Sequence, residues 1–250
     1  MGVRSTNKGS QGPRSESLNT YFHNGHLSQF YNSQFRESKH NNPSPPSFIA
    51  TGGTIDDSSR SGWRLHKFFS TGPQTFSVPA ASSSQPCEIL LVAGGGSGGS
   101  GVGCGGGGGG GVLYWNAMPF VAGTNYAVSV GIAGPSPGSN VSGSQGGSTT
   151  IANGGVTYTA DGGGGGTGGP STGGAVGGPG GSGGGSNGSP GGAGGAGGTA
   201  TQTPEGSATG YGNAGGVGYH NGGNFVNGGG GGGAGGAGNP SGTSNYPQPT

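Results

Sequence analysis

The chain has 250 residues, of which 72 are glycine, 17 are proline, 26% are hydrophobic and 6% are charged, which excludes an ordinary globular domain with a large apolar core. All eight lysines and arginines lie between Arg4 and Lys67, where four acidic residues leave a net charge of +4, and three later acidic residues give −3. This distribution suggests a basic anchor joined to a nearly uncharged display part.

Residues 1–47 are polar, with scattered aromatic side chains, and end in the proline-rich sequence Asn-Asn-Pro-Ser-Pro-Pro-Ser. Such a segment cannot form its own core, and its composition alone is typical of a disordered tail. We favour an extended N-terminal arm that becomes ordered on a partner protein, because aromatic residues and prolines outnumber the charges. The predicted anchors are the aromatic residues Tyr21, Phe22, Phe30, Tyr31 and Phe35.

Residues 48–160 change to short apolar and alternating runs that are typical of β-strands. The sequence Asn153-Gly154-Gly155 between two such runs is a hairpin signal. The predicted strands are residues 63–69, 75–78, 88–92, 112–115, 126–130, 149–151 and 156–159. They predict a small sandwich-like β module whose core consists of Phe68, Phe76, Ile89, Leu91, Leu113, Tyr126, Val128, Val130 and Ile151.

Residues 161–238 form a region with long glycine tracts, such as 162–166 and 228–233, and residues 94–111 form a shorter glycine block. Because glycine offers no side chain to bury, these tracts are either disordered or packed backbone against backbone. Part of the region repeats every three residues, which is the period of polyproline II and which a random linker does not need. We therefore favour a bundle of polyglycine II helices, whose N–H and C=O groups pair with neighbouring helices.

A single rod of this material would be very long. The 77 residues from Gly162 to Gly238 would span roughly 240 Å at about 3.1 Å per residue, so we expect the chain to fold back several times. Residues at every third position then face solvent, and one such column contains Thr167, Pro170, Val176, Pro179 and Ser182. With residues 239–250 as a C-terminal tail, the predicted fold is mainly β and irregular.

Several short pieces of the sequence follow one another in a specific order. They are Ala-Thr-Gly-Gly-Thr-Ile at 50–55, residues 63–79, residues 89–96, the glycine run 105–111 followed by Val-Leu-Tyr, residues 123–131, and Asn-Gly-Gly at 153–155. This order resembles the glycine-rich domain of bacteriophage tail fibres and related virion proteins over residues 50–238. In composition, the glycine-rich region also resembles phage fibre-tip adhesins built from packed polyglycine helices.

The resemblance implies a virion surface protein, often multimeric, whose loops at the glycine-rich end touch the host. The N-terminal arm departs from this pattern, because it matches no known fibre-attachment domain. The attachment point on the particle, at the tail, neck or capsid, therefore stays open.

The spacing of ionisable residues does not favour an enzyme. After Glu88 the acidic residues are Asp161 and Glu205 and the histidine is His220, which leaves neither paired carboxylates nor a compact Ser-His-Asp set. His66 lies among apolar residues and is interpreted as a packed or surface strand residue. Glycine spacings like those of nucleotide-binding loops occur, but no helix-forming sequence follows them and the phosphate-loop lysine is missing. We expect no catalytic residue and no cofactor.

Metal and nucleic-acid sites are not expected either. No arginine follows Arg64, whereas glycine-rich RNA-binding segments place arginine between glycines to contact phosphate. Cys87 and Cys104 lack a C-x-x-C pair and are expected to stay reduced in a cytoplasm, with a disulfide left open. Three histidines of the arm are better interpreted as solvated residues than as metal ligands: His23, His26 and His40.

Large side chains are sparse late in the chain, and aromatic or polar residues on a rigid backbone suit binding to sugars or protein loops. The predicted receptor contacts are Tyr211, Tyr219, His220 and Phe225. An equally open interpretation is that Phe225 and Tyr219 only plug the end of the bundle.

These observations together predict a non-enzymatic phage virion protein, a surface fibre, appendage or adhesin that is anchored by its arm to other virion proteins and contributes to host attachment. We expect a homo-oligomer, as a trimer, a host glycan or protein as ligand, and no membrane insertion. The start of the sequence lacks the apolar run of a secretory signal, so we expect assembly in the host cytoplasm and release by lysis. The alternatives are a capsid or neck decoration protein without receptor binding and a cellular glycine-rich filament protein.

Overall fold

The structure is a computed structural model and describes residues 48–153, 155–169, 174–188, 194–220 and 226–242. The predicted arm, residues 1–47, therefore lies outside the described residues. Within them there is no α-helix, and the chain forms strands β1 (Thr54–Asp56), β2 (Leu65–Lys67), β3 (Gly72–Val78), β4 (Gln85–Val92), β5 (Val112–Phe120), β6 (Thr124–Val130), β7 (Thr149–Asn153), β8 (Val156–Ala160), β9 (Thr209–Tyr211), β10 (Tyr219–His220) and β11 (Val226–Asn227). The prediction of a mainly β and irregular fold is confirmed.

Two antiparallel sheets, in the orders β3-β6-β7-β8 and β4-β5-β9, share one hydrophobic core. β1 and β2 form a separate hairpin, and β7 and β8 pair around the predicted turn, with Asn153 opposite Val156. All nine predicted core residues belong to this cluster, although Phe68, Ile89 and Val130 are only partly buried. We call this part the β module.

Strand β5 is longer than the predicted strand, residues 112–115. Its second half continues to Phe120 and buries Met118 and Phe120 in the core, and Trp115 is buried as well. Pro119 favours a strand end, because proline cannot donate to the hydrogen-bonding ladder. It is accommodated here because it lies opposite Pro86 of β4, beyond the three residues of β5 that pair with β9.

Six strands of the β module are continuous with glycine-rich segments that run side by side. β4, β6, β8 and β9 lead directly into such segments, and β5 and β7 follow them. The segments that form this bundle are residues 93–100, 105–111, 131–134, 141–147, 161–169, 174–180, 181–188, 194–201, 212–218, 228–233 and 236–241. The β module therefore sits at one end of the bundle.

The backbone hydrogen bonds of the bundle repeat every three residues. Successive donors of residues 161–169 alternate between two neighbouring segments at 2.8–3.1 Å, with Gly163, Gly166 and Gly169 donating to residues 94, 97 and 100, and Gly164 and Thr167 donating to residues 182 and 185. The described glycines with left-handed φ lie at turns or segment ends, as Gly101 and Gly103 do. The runs between them keep φ outside that region, as polyproline II requires.

Residues 181–188, the central segment, are all buried, although five of the eight are glycine. A Cβ added to Gly183 would come closer than 3.0 Å to the carbonyl oxygen of Gly198, and one on Gly185 would meet that of Gly229 in the same way. Glycine is therefore required at these positions because another backbone occupies the space of a side chain.

The predicted solvent-facing column is correct only in part. Val176 and Pro179 are exposed, as expected for one segment of period three. Thr167 and Ser182, in contrast, are 2% and 0% exposed. The chain reverses direction between them, so they belong to different segments in the bundle centre, and one sequence column does not remain one face. Pro170 lies outside the described residues.

Candidate recognition end

Five pairs of segment ends lie at the end of the bundle away from the β module, which we call the loop end, and one chain connection joins each pair. Residues 101–104 and 135–140 are two of these connections, and hairpin β10–β11 is the third. The segments that end at Gly169 and Gly188 and those that begin at Gly174 and Gly194 border the other two, residues 170–173 and 189–193. Connecting loops on a rigid scaffold are a common location for binding residues.

The described part of the loop end has specific local geometry. Asn140 has a positive φ of 56°, and Gly101 and Gly103 also have left-handed φ values. Val102 lies between these glycines and is 66% exposed. The side chain of Val226 in β11 lies so close to Gly103 that a Cβ there would overlap it. The connection 101–104 thus presents an apolar side chain on a backbone that is packed against the hairpin.

The predicted receptor residues are not brought together. Tyr219 is half-buried in β10, and its neighbour His220 is only 5% exposed. Tyr211 is 42% exposed in β9, next to the β module. The separation of eight residue steps from Tyr211 to Tyr219 corresponds to about 25 Å at polyproline II spacing. Phe225 and the five anchor aromatics of the arm lie outside the described residues, and receptor contact by this set stays a prediction.

Polar side chains hold the bases of the connections, and the sequence reasoning missed them. Ser97 Oγ donates to the Pro135 carbonyl at 2.7 Å and accepts from the Ser144 amide at 2.8 Å. Ser186 and Asn187, both 0% exposed, make similar bonds from the central segment. The signal in the sequence was that Ser186 and Asn187 interrupt a glycine run, residues 181–188, in which Ser182 is the one other residue with a side chain.

The described charges lie on the side of the β module. Lys67 Nζ contacts Asp56 at 2.5 Å, and this bond, together with Ser59, holds the pKa of Asp56 far below its usual value.

Two further ion pairs lie on the same side of the molecule. Arg64 lowers the pKa of Asp57, and Arg60, stacked on the Trp63 ring at 3.9 Å, lowers that of Glu88. These exposed pairs are typical of surface salt bridges, which contribute little stability, and not of catalytic carboxylates.

The remaining polar chemistry is sparse. His66 Nδ1 lies 2.8 Å from the Gly52 carbonyl and its ring contacts Phe76 edge-on, so His66 is a packed residue as expected. Cys87 and Cys104 are free thiols, and burial raises the pKa of Cys87. Cys87 lies at the start of residues 87–100, which span roughly 40 Å as strand and threefold segment, and Cys104 lies in the connection beyond their far end, so the two cannot bond within one chain.

Among the described residues, no three His, Cys, Asp or Glu side chains lie close enough to hold a metal ion. The histidines His23, His26 and His40 lie outside that part of the chain. The described residues also contain no helix with the length and hydrophobicity that crossing a bilayer requires.

Comparison with known proteins identifies a family. A family model described as a glycine-rich domain matches residues 70–249. No curated protein and no solved structure matches the chain. The matched region covers most of the β module and the whole described bundle.

Proposed function

The chain belongs to the glycine-rich domain family, and on that premise we propose that it is a non-enzymatic phage virion protein whose loop end contributes to host attachment. The observation that carries this proposal is the collection of five connections at the bundle end away from the β module. A stiff bundle positions these connections at a distance from any attachment at the other end. The order of short sequence pieces that resembles phage tail-fibre domains supports the same role.

The backbone packing suits this role physically. Binding surfaces that are ordered before contact lose less conformational entropy on binding. In this bundle, hydrogen bonds between segments fix the backbone on both sides of each connection. The arm, residues 1–47, is proposed as the anchor to other virion proteins, and the protein as a homo-oligomer, a trimer, on the particle surface. Its location is then the virion, with release by lysis.

The test compares two valines that have similar exposure and lie at opposite ends. Val102 is in a loop-end connection, whereas Val156 is 50% exposed beside the distal turn of the β module. Val102→Asp adds a charge that must be desolvated on contact, so we expect adsorption of particles to host cells to fall by about tenfold or more. Val156→Asp should leave adsorption within about twofold.

Incorporation of both variants into particles is measured in parallel. Equal incorporation with unchanged adsorption of Val102→Asp would indicate a decoration protein and contradict attachment by the loop end. Deletion of residues 1–47 tests the anchor separately. We expect it to abolish incorporation, and undiminished incorporation would exclude the arm as the anchor.

A further inference from the structure

Three consecutive residues at the loop end of the central segment contact four of the five connections. These residues, Ser186, Asn187 and Gly188, are all buried, and both side chains are 0% exposed. We call them the hub. A polar side chain in a tightly packed bundle centre is costly unless it is hydrogen-bonded, so the bonds of the hub explain why side chains are present there.

Asn187 holds both sides of one connection. Its Oδ1 accepts a hydrogen bond from the Ala175 amide at 2.9 Å, and its Nδ2 donates to the Gly169 carbonyl at 3.1 Å. Gly169 and Ala175 lie just before and just after residues 170–173. A single planar amide therefore fixes the distance between the end of one segment and the start of the next.

Ser186 and Gly188 reach three other connections. Ser186 Oγ accepts from the Gly218 amide at 2.7 Å, directly before hairpin β10–β11, and donates to the Gly195 carbonyl, just after residues 189–193. The Gly188 amide donates to the Gly103 carbonyl at 3.3 Å, within the connection 101–104. Neighbouring residues of one rigid segment thus hold separate parts of the loop end.

We propose that the hub makes the loop end a single cooperative unit and that Ser186 and Asn187 are its positioning residues. Because the hub residues are adjacent on one backbone, loss of one bond shifts the segment that holds the others. Loss of the contacts of Asn187 with Gly169 and Ala175 therefore also loosens the connection 101–104. The use of this unit for recognition rests on the proposed function, but the coupling itself does not.

The two cysteines allow a direct measurement. Cys104 lies in the connection 101–104, and Cys87 lies in β4 of the β module, so they report on opposite ends of the same molecule. The full chain is treated with a small alkylating reagent, and the reaction rate at each cysteine is followed by peptide mass spectrometry. In Asn187→Ala and in Ser186→Ala we expect alkylation of Cys104 to rise by about tenfold or more, which corresponds to ~1.4 kcal/mol, while Cys87 changes by less than about twofold.

Asn213→Ala is the matched control. Asn213 also donates to two backbone carbonyls, those of Gly233 at 2.8 Å and Ala234 at 3.2 Å, but at the bundle end next to the β module. This variant should leave the alkylation rate of Cys104 unchanged. The proposal is overturned if that rate is unchanged in both hub variants, or if the rates at Cys104 and Cys87 rise together as in global unfolding. No ligand is used, so a failure of host attachment would not alter this result.

Discussion

At the scale of single residues, the atoms around a position decide whether glycine is required there. Gly183 in the central segment faces the Gly198 carbonyl, whereas at Gly98, which is exposed, an added Cβ would have its nearest neighbour at an ordinary 3.6 Å. The two positions have the same residue type and lie in the same bundle. They differ in whether a neighbouring backbone leaves room for a methyl group.

This difference predicts opposite effects of one substitution. Gly183→Ala forces two backbones apart, and we expect it to lower the free energy of unfolding by about 1–3 kcal/mol or more. Gly98→Ala should be neutral or stabilising by up to about 1 kcal/mol, because alanine reduces the entropy of the unfolded chain. Denaturant unfolding of both variants checks this, and equal stabilities would contradict close backbone packing at residue 183.

At the scale of elements, the bundle replaces side-chain packing with hydrogen bonds between segments. From fully buried positions, the amides of Gly183 and Ser186 donate to residues 213 and 216 of one neighbouring segment, and that of Gly185 donates to residue 106 of another, at 2.7–3.1 Å. Such bonds break only when several segments separate. Opening of this part of the bundle should therefore be as costly as unfolding of a conventional core.

Hydrogen exchange measures that cost. The amides of Gly183, Gly185 and Ser186 should exchange at least about 100-fold more slowly than those of the exposed residues Gly138 and Ser139. Both groups consist of glycine and serine amides, so their intrinsic exchange rates differ little. If the central segment exchanged as fast as residues 138–139, the bundle would not be the stable unit described above.

The elements show how far sequence reasoning reaches. Short apolar runs, alternating runs and turn signals located seven strands and the core, because buried and half-buried strands require apolar side chains in these patterns. The period of three indicated that glycine runs pair with one another. The neighbours of each run could not be predicted, because glycine carries no side chain that distinguishes one partner from another. Buried interruptions such as Ser186 and Asn187 carry some of this missing information.

At the scale of the whole molecule, the described charged side chains lie beside the β module, away from the loop-end connections. Between residues 94 and 241 the acidic residues are Asp161 and Glu205, and both lie next to the β module, where Glu205 accepts a hydrogen bond from the Thr159 amide at 2.7 Å. The described loop-end connections 101–104 and 135–140 contain no lysine, arginine, aspartate or glutamate. Contact through this end therefore receives no long-range electrostatic attraction.

Adsorption through the loop end should accordingly be insensitive to salt. Between about 50 and 300 mM salt, we expect the adsorption rate to change by less than about twofold, since screening affects mainly contacts between charges. The measurement is the rate at which the soluble protein binds to host cells across this salt series. A steep decrease with salt would instead point to the basic N-terminal part of the chain as the binding surface.

The position of the central segment also affects how the protein forms. Gly106 donates to the Gly229 carbonyl and Gly109 to that of Gly232, while the Ser182 amide donates to Gly109. The innermost backbone is thus enclosed by parts of the chain that are synthesised long before it and by parts that are synthesised after it. Folding dominated by such distant pairings is slow. A nascent chain that lacks residues 228–241 would hold glycine runs with one side unpaired, and the enclosure of the central segment must wait until those residues have been synthesised.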